Sequence, residues 1–278
     1  EGKPALEPFD NADQLVDKTV TALKKLRPEL GEMIAKMDEM QHLDLDSRKG
    51  KAPGGYNYPL METGVPFIFM NAVGLQRDLT TMVHEAGHAI HSFLTREMTY
   101  SFHKDVPSEI AELASMAMEL ISMDHWDVFY DDADTLKRAK REQLEHAMSG
   151  LTWIATIDHF QTWIYDHPQH SPADRRKAWI EIYDTYMPNN VDWSGYDSYK
   201  ANQWHRQLHL FEVPFYYIEY GIAQLGALQV WRNYRRDPKA GLEGYLRALK
   251  MGYTRPIGEV YATGDIRFDF SETMIADL

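Results

Sequence analysis

The sequence predicts a mainly α-helical, multi-helix fold with a small antiparallel β-sheet beside one central helix. Three observations carry that expectation. Apolar residues recur at helical spacing along most of the 278-residue chain. Good strand signals are confined to the stretch from Tyr56 to Asn71. Directly after it, Leu79, Met82, Val83, Ala86, Ile90 and Phe93 form the apolar stripe of a helix, with Asp78 expected as its N-cap.

In chain order, residues 11–40 read as one or two helices. Leu15, Val16, Val20, Leu23 and Leu26 keep helical spacing, Pro28 interrupts, and Met33, Ile34 and Met37 continue. Residues 44–55 read as a charged, turn-rich loop. Its lysines and glycines do not form the phosphate-cradling GxxxxGK[ST] pattern. Val65–Met70 is β-prone, and Pro66 suits an edge strand. Met98–Phe102 is a second candidate strand. Ser108–Ile121 is a helix with an apolar face of Ile110, Leu113, Ala114, Ala117, Leu120 and Ile121. Residues 131–166 form a long helical region with Gly150 as a possible kink, and 173–186 another helix. After a loop from Met187 to Ser194 come a His- and Tyr-rich segment, a helix through Trp231, a helix over 242–251, and turns with a short helix at the end.

The chemistry centres on His84-Glu85-Ala86-Gly87-His88. Residues four apart share a helical face, so both imidazoles can address one ion, with Glu85 one step round the helix. That is the metallopeptidase arrangement: two zinc ligands and a carboxylate able to take a proton from metal-bound water. A bare HExxH is short enough to arise by chance, and zinc needs a further protein ligand. Glu112, on the next helix, is the candidate. Glu119, a heptad later, is either a partner that anchors a ligand or a solvated charge.

These residues carry a resemblance. HEAGHAIHS followed by PSEIAELASM is similar to the oligoendopeptidase F and thimet oligopeptidase family of zinc metallopeptidases. The resemblance places the third ligand on Glu112 rather than Glu109. Arg48–Tyr56 resembles the family's glycine-rich segment, Val65–Asn71 its following strand, and His209–Tyr220 the His/Tyr segment facing the zinc. The match runs in order over nearly the whole chain. It implies a zincin-type catalytic domain over 1–278, one Zn²⁺ per chain on His84, His88 and Glu112, and Glu85 as the base. It also implies oxyanion donors among His209, Tyr220 and Tyr217. The substrate contacts it implies are Gly54, Gly55, Phe67 and Phe69. Family members carry in addition a helical N-terminal half that walls a deep channel. This chain begins at Glu1 without that half, so a fragment, a processed form or a naturally short relative is expected.

The expected function is therefore a zinc endopeptidase acting on peptides, short ones by analogy with the family's channel. The alternative is a catalytically incomplete zinc-containing module that holds peptides without cutting them. A formal net charge of −13 argues against a nucleic-acid partner. The absence of cysteine excludes disulfides and thiolate chemistry and is compatible with a reducing, cytoplasmic setting. No apolar run reaches transmembrane length, so no membrane partner is expected, although a chain lacking its own start leaves export open.

Overall fold

The computed structural model describes residues 2–278. Its chain divides into two compact units. One comprises the residues up to Gln143 together with Ala223–Leu278; the other is Leu144–Ile222.

The first unit opens with a helical pair, α1 (Ala12–Leu26) and α2 (Pro28–Glu39). The Asn11 side chain caps α1 by accepting from the Gln14 amide at 2.9 Å, and Pro28 occupies the first turn of α2, where an N–H would go unused. Leu15, Leu23, Leu30 and Ile34 from this pair are fully or almost fully buried. Burying each such side chain contributes about 1.5–3 kcal/mol.

Three strands follow: β1 (Leu43–Asp46), β2 (Tyr56–Tyr58) and β3 (Phe67–Ala72), in the order β1-β3-β2. β1 runs parallel to β3 and β2 antiparallel to it, so the sheet is mixed rather than purely antiparallel. The expectation that the Val65–Met70 segment lies at an edge is also corrected. β3 is the central strand, and Pro66 just precedes it, where a missing N–H removes no ladder bond. β1 occupies what reads in sequence as the start of a loop. The burial of β3 alternates: Ile68, Met70 and Ala72 are buried, while Phe67 and Phe69 stand half-buried on the opposite face.

α3 (Gln76–Thr95) and α4 (Ser108–Ser122) pack against each other. Asp78 does not cap α3 from outside. It sits inside the first turn, and its carboxylate accepts from the amides of Val73 and Leu75 at 2.8 and 2.9 Å. Met98–Phe102 is no strand: a turn leads into a 3-10 turn at Ser101–His103. α5 (Ala133–Asp166) runs through Gly150 unbroken.

The second unit takes the later part of α5, then α6 (Pro172–Tyr186), α7 (Asp197–Lys200), α8 (His209–Glu212) and the first turn of α9 (Ile218–Arg236). Its core is Ile157, Phe160, Trp179, Ile182, Tyr183 and Trp204. The Trp179 indole satisfies its N–H by donating to the Lys200 carbonyl at 2.8 Å. The chain then returns to the first unit with the rest of α9, followed by α10 (Pro238–Lys250), α11 (Ile257–Thr263) and α12 (Glu272–Asp277).

Candidate metal centre

His84 and His88 lie one helical turn apart on α3, their rings edge to face at 4.9 Å. Glu112 reaches them from α4, and one ligand atom from each of the three residues falls within 4.8 Å of the others. Gly87 makes that convergence possible. A Cβ built there would lie 2.6 Å from the Ala114 carbonyl oxygen and 2.7 Å from Ser115 Cα, so only glycine lets the two backbones meet this closely. Two phenols also hold α4, Tyr245 donating to the Ala114 carbonyl at 2.6 Å and Tyr261 to the Glu109 carbonyl at 2.9 Å.

The Glu112 Oε2 atom is 3.3 Å from His84 Nε2 and 3.6 Å from His88 Nε2. Metal–ligand bonds of about 2.0–2.2 Å put the ligand atoms of a tetrahedral zinc site about 3.3–3.6 Å apart. The donor set therefore fits zinc in chemistry, and both Glu112–histidine distances match its spacing. Ser115 Oγ donates to Glu112 Oε2 at 2.9 Å and restrains its rotamer.

Glu119, which the sequence left between two readings, is buried and bonded. Its Oε1 lies 2.6 Å from His84 Nδ1, which turns Nε2 toward Glu112. Its Oε2 accepts from the Gln143 amide at 2.6 Å, and Gln143 Oε1 accepts from Thr80 at 2.9 Å. This Thr80–Gln143–Glu119–His84 chain orients the imidazole in the way that carboxylates commonly orient metal-ligating histidines. Sequence reasoning missed Thr80, Gln143 and Ser115. Thr80 lies one turn before His84, and Gln143 interrupts a stripe of small apolar residues between Ala139 and Ala147. Those were the available signals.

Burial shapes the electrostatics. It would lower the His84 imidazole, but hydrogen bonds to Glu112 and Glu119 outweigh it and hold His84 well above its usual range. For His88, burial outweighs the Glu112 charge and a backbone hydrogen bond at Ala111 and pushes the imidazole down to about 4. For Glu112, burial acts upward, yet the His84 hydrogen bond and the neighbouring histidine charges prevail and bring it to about 2. Glu85 moves the other way: burial raises it to about 7. Its buried Oε2 has no hydrogen-bond partner among the described residues. A carboxyl group near neutrality with an unsatisfied oxygen is suited to exchanging protons. His91 takes no part in the cluster; it is buried further along α3, and burial lowers it to about 4.

The glycine-rich segment closes in on Glu85. A Cβ on Gly55 would lie 3.5 Å from Glu85 Oε1, and Gly54, at φ +100°, makes the turn that brings the chain there. Asn71 pins this loop by donating to the carbonyls of Ala52 and Gly54 at 2.9 and 3.0 Å. Phe67 and Phe69 pair across the sheet with Tyr58 and Tyr56 on one aromatic face, Tyr56 stacking on Phe69 at 5.0 Å.

His209, Tyr217 and Tyr220 form their own group in the second unit. The ring centroids lie 4.9 Å apart for His209–Tyr217, 5.8 Å for His209–Tyr220 and 5.4 Å for Tyr217–Tyr220.

Known proteins resemble the chain as a whole. The model of peptidase family M3 matches residues 30–278. An oligoendopeptidase F homolog of Borreliella burgdorferi is 24% identical over 214 residues, 76% of this chain and 35% of that protein. Oligopeptidase PepF of Bacillus subtilis is 23% identical over 248 residues, 86% of this chain and 36% of that protein. Among solved structures, PZ peptidase A with inhibitor 2 is 30% identical and matches with a TM-score of 0.88 over 96% of this chain and 48% of that one. The chain thus spans about a third of the length of these curated relatives and just under half of that solved chain.

Proposed function

The chain belongs to peptidase family M3, and on that premise we propose that it is a zinc-dependent endopeptidase domain that hydrolyses peptide bonds, with short peptides as its substrates. One observation carries the reading: two imidazole nitrogens and one carboxylate oxygen converge at zinc spacing beside a buried carboxyl raised to about 7. His84, His88 and Glu112 would hold the ion. Zinc supplies Lewis acidity, lowering the pKa of water and polarising a carbonyl.

The protein residues do the rest. Glu85 takes the proton of the attacking water and delivers it to the leaving amine. Glu119, steadied by Gln143 and Thr80, holds His84 in the ligating orientation. His209, with Tyr220 or Tyr217, donates to the oxyanion that forms on the scissile carbonyl. Because β3 is paired on both sides, strand-wise pairing of an extended substrate falls to the outer edge of β2. The aromatic face of Tyr56, Tyr58, Phe67 and Phe69 and the bare backbone of Gly54 and Gly55 line the same approach.

The test measures metal content together with cleavage of a quenched fluorescent peptide library, with and without chelator. Near-stoichiometric zinc and chelator-sensitive cleavage are expected. Stoichiometric zinc without cleavage would select the alternative, a module that holds peptides but does not cut them. A metal-free protein would overturn the site.

A further inference from the structure

We infer that Trp153 and Gln207 are positioning residues that fix His209 in its Nε2–H tautomer. The inference deepens the reading of His209 as an oxyanion donor and rests on it for its functional meaning. The tautomer assignment itself rests on hydrogen-bond chemistry alone.

An indole nitrogen can only donate. Trp153 Nε1 lies 2.9 Å from Gln207 Oε1, so the oxygen of this amide must face the indole. The amide nitrogen then faces His209 Nδ1, at 2.6 Å. An amide NH₂ also only donates, which leaves Nδ1 as the acceptor. A neutral imidazole that accepts at Nδ1 carries its hydrogen on Nε2. Turning the amide over would set two donors against each other at the indole and remove the hydrogen bond there.

The surroundings hold this arrangement in place. The Arg206 guanidinium lies 4.2 Å from the Trp153 ring centroid and braces the indole. Tyr216 stacks on the His209 ring at 5.8 Å, Tyr217 lies at 4.9 Å and Tyr220 meets it edge-on at 5.8 Å, which restrains ring rotation. Phe215, at φ +61°, makes a left-handed turn that an L side chain rarely adopts; Gln161 Oε1 accepts from its amide at 2.9 Å and holds that turn. Trp153 and Gln207 lie 54 residues apart, and neither stands out in the sequence.

Gln207→Glu separates this role from a merely structural one. It preserves size and leaves an acceptor for the indole, but presents an acceptor to His209 Nδ1 where the amide presented a donor. Long-range ¹H–¹⁵N correlation spectra of the full chain, labelled at histidine and assigned with His209→Gln, read the tautomer directly. In the wild type, His209 is expected as the neutral Nε2–H form. In Gln207→Glu, the Nδ1–H form or the imidazolium should dominate, and Trp153→Phe should give a mixture. In peptide hydrolysis, Gln207→Glu is expected to lower kcat about 10- to 100-fold with KM within about twofold, as for a mis-set donor or tautomer. A wild-type Nδ1–H signal, or a His209 signal that ignores Gln207→Glu, would overturn the inference. A switched tautomer with unchanged kcat would overturn its service to turnover. The spectra decide the tautomer whether or not any peptide is cut, so failure of the peptidase reading would show separately, as absent turnover with the Nε2–H signal in place.

Discussion

Glu85 and His84 are adjacent, yet the protein treats their charges oppositely: it offers the imidazolium two carboxylates, and it buries the Glu85 carboxylate near those same two negative charges. Three predictions belong to this scale. Glu85→Gln should retain metal while kcat falls about 10²- to 10⁴-fold, the range for loss of a general base; metal analysis beside peptide turnover checks it. The same variant has a pH signature in chelator-treated protein. The Glu85 carboxyl ionises near 4.5 when unfolded and at about 7 when folded, so between those values the unfolded state binds fewer protons and wild-type stability falls as pH rises. Well above pH 7 the loss reaches about 3 kcal/mol, of which about 2.5 kcal/mol falls between pH 5 and 8, and Glu85→Gln should abolish that pH dependence, as read from denaturant midpoints at pH 5 and 8. Glu119→Gln should weaken zinc binding about 10- to 100-fold in competition with a chromophoric chelator. The two histidines of the cluster are legible in the sequence because their relation is local, four residues on one helix. Gln143 is not: nothing near it in sequence says that Glu119 and Thr80 are its partners.

Among the elements, the α3–α4 crossing sets the ligand geometry, and Gly87 sets the crossing. Gly87→Ala must displace backbone atoms of α4, since the contacts at 2.6 and 2.7 Å are to main chain and not to the tip of a flexible side chain. Overpacking of this kind costs about 1–3 kcal/mol. Thermal unfolding should show a lowered Tm, and zinc affinity should fall with it as Glu112 moves off the histidines. In the sequence, Gly87 reads only as a tolerated helix glycine, because its reason lies on another helix. The helices themselves were readable from apolar spacing, including the break at Pro28. The sheet was less so. β1 is a four-residue strand with one buried side chain, too short for a periodic signal, and its pairing with β3 is non-local. Pro66 misdirected the edge assignment because a proline before a strand looks the same in sequence as one within it. Asp78 was read as the N-cap, but the helix begins earlier, after Leu75, and Asp78 sits in its first turn with its carboxylate accepting from the Leu75 amide.

For the molecule as a whole, the division at Gln143 and Ile222 falls inside α5 and α9. No proline- or glycine-rich linker marks it, so composition could not reveal it. Because all three proposed ligands lie in the first unit, zinc should stabilise that unit selectively. At free zinc about 100 times its Kd, linkage predicts about 2.7 kcal/mol. Calorimetry with and without chelator should therefore shift the transition of the first unit and leave that of Leu144–Ile222 in place; equal shifts of both would show that the units melt together.

The first unit is built from two stretches of chain that flank the second. α4 leaves the ribosome with its Ala114 and Glu109 carbonyls lacking Tyr245 and Tyr261, which are translated more than a hundred residues later. At about 5–20 residues per second, that interval is roughly 7–30 s. During synthesis, the helix bearing Glu112 must wait for Tyr245 and Tyr261 before these two carbonyls have their donors, while Leu144–Ile222 already has every residue of its own core. The unit that begins first is completed last.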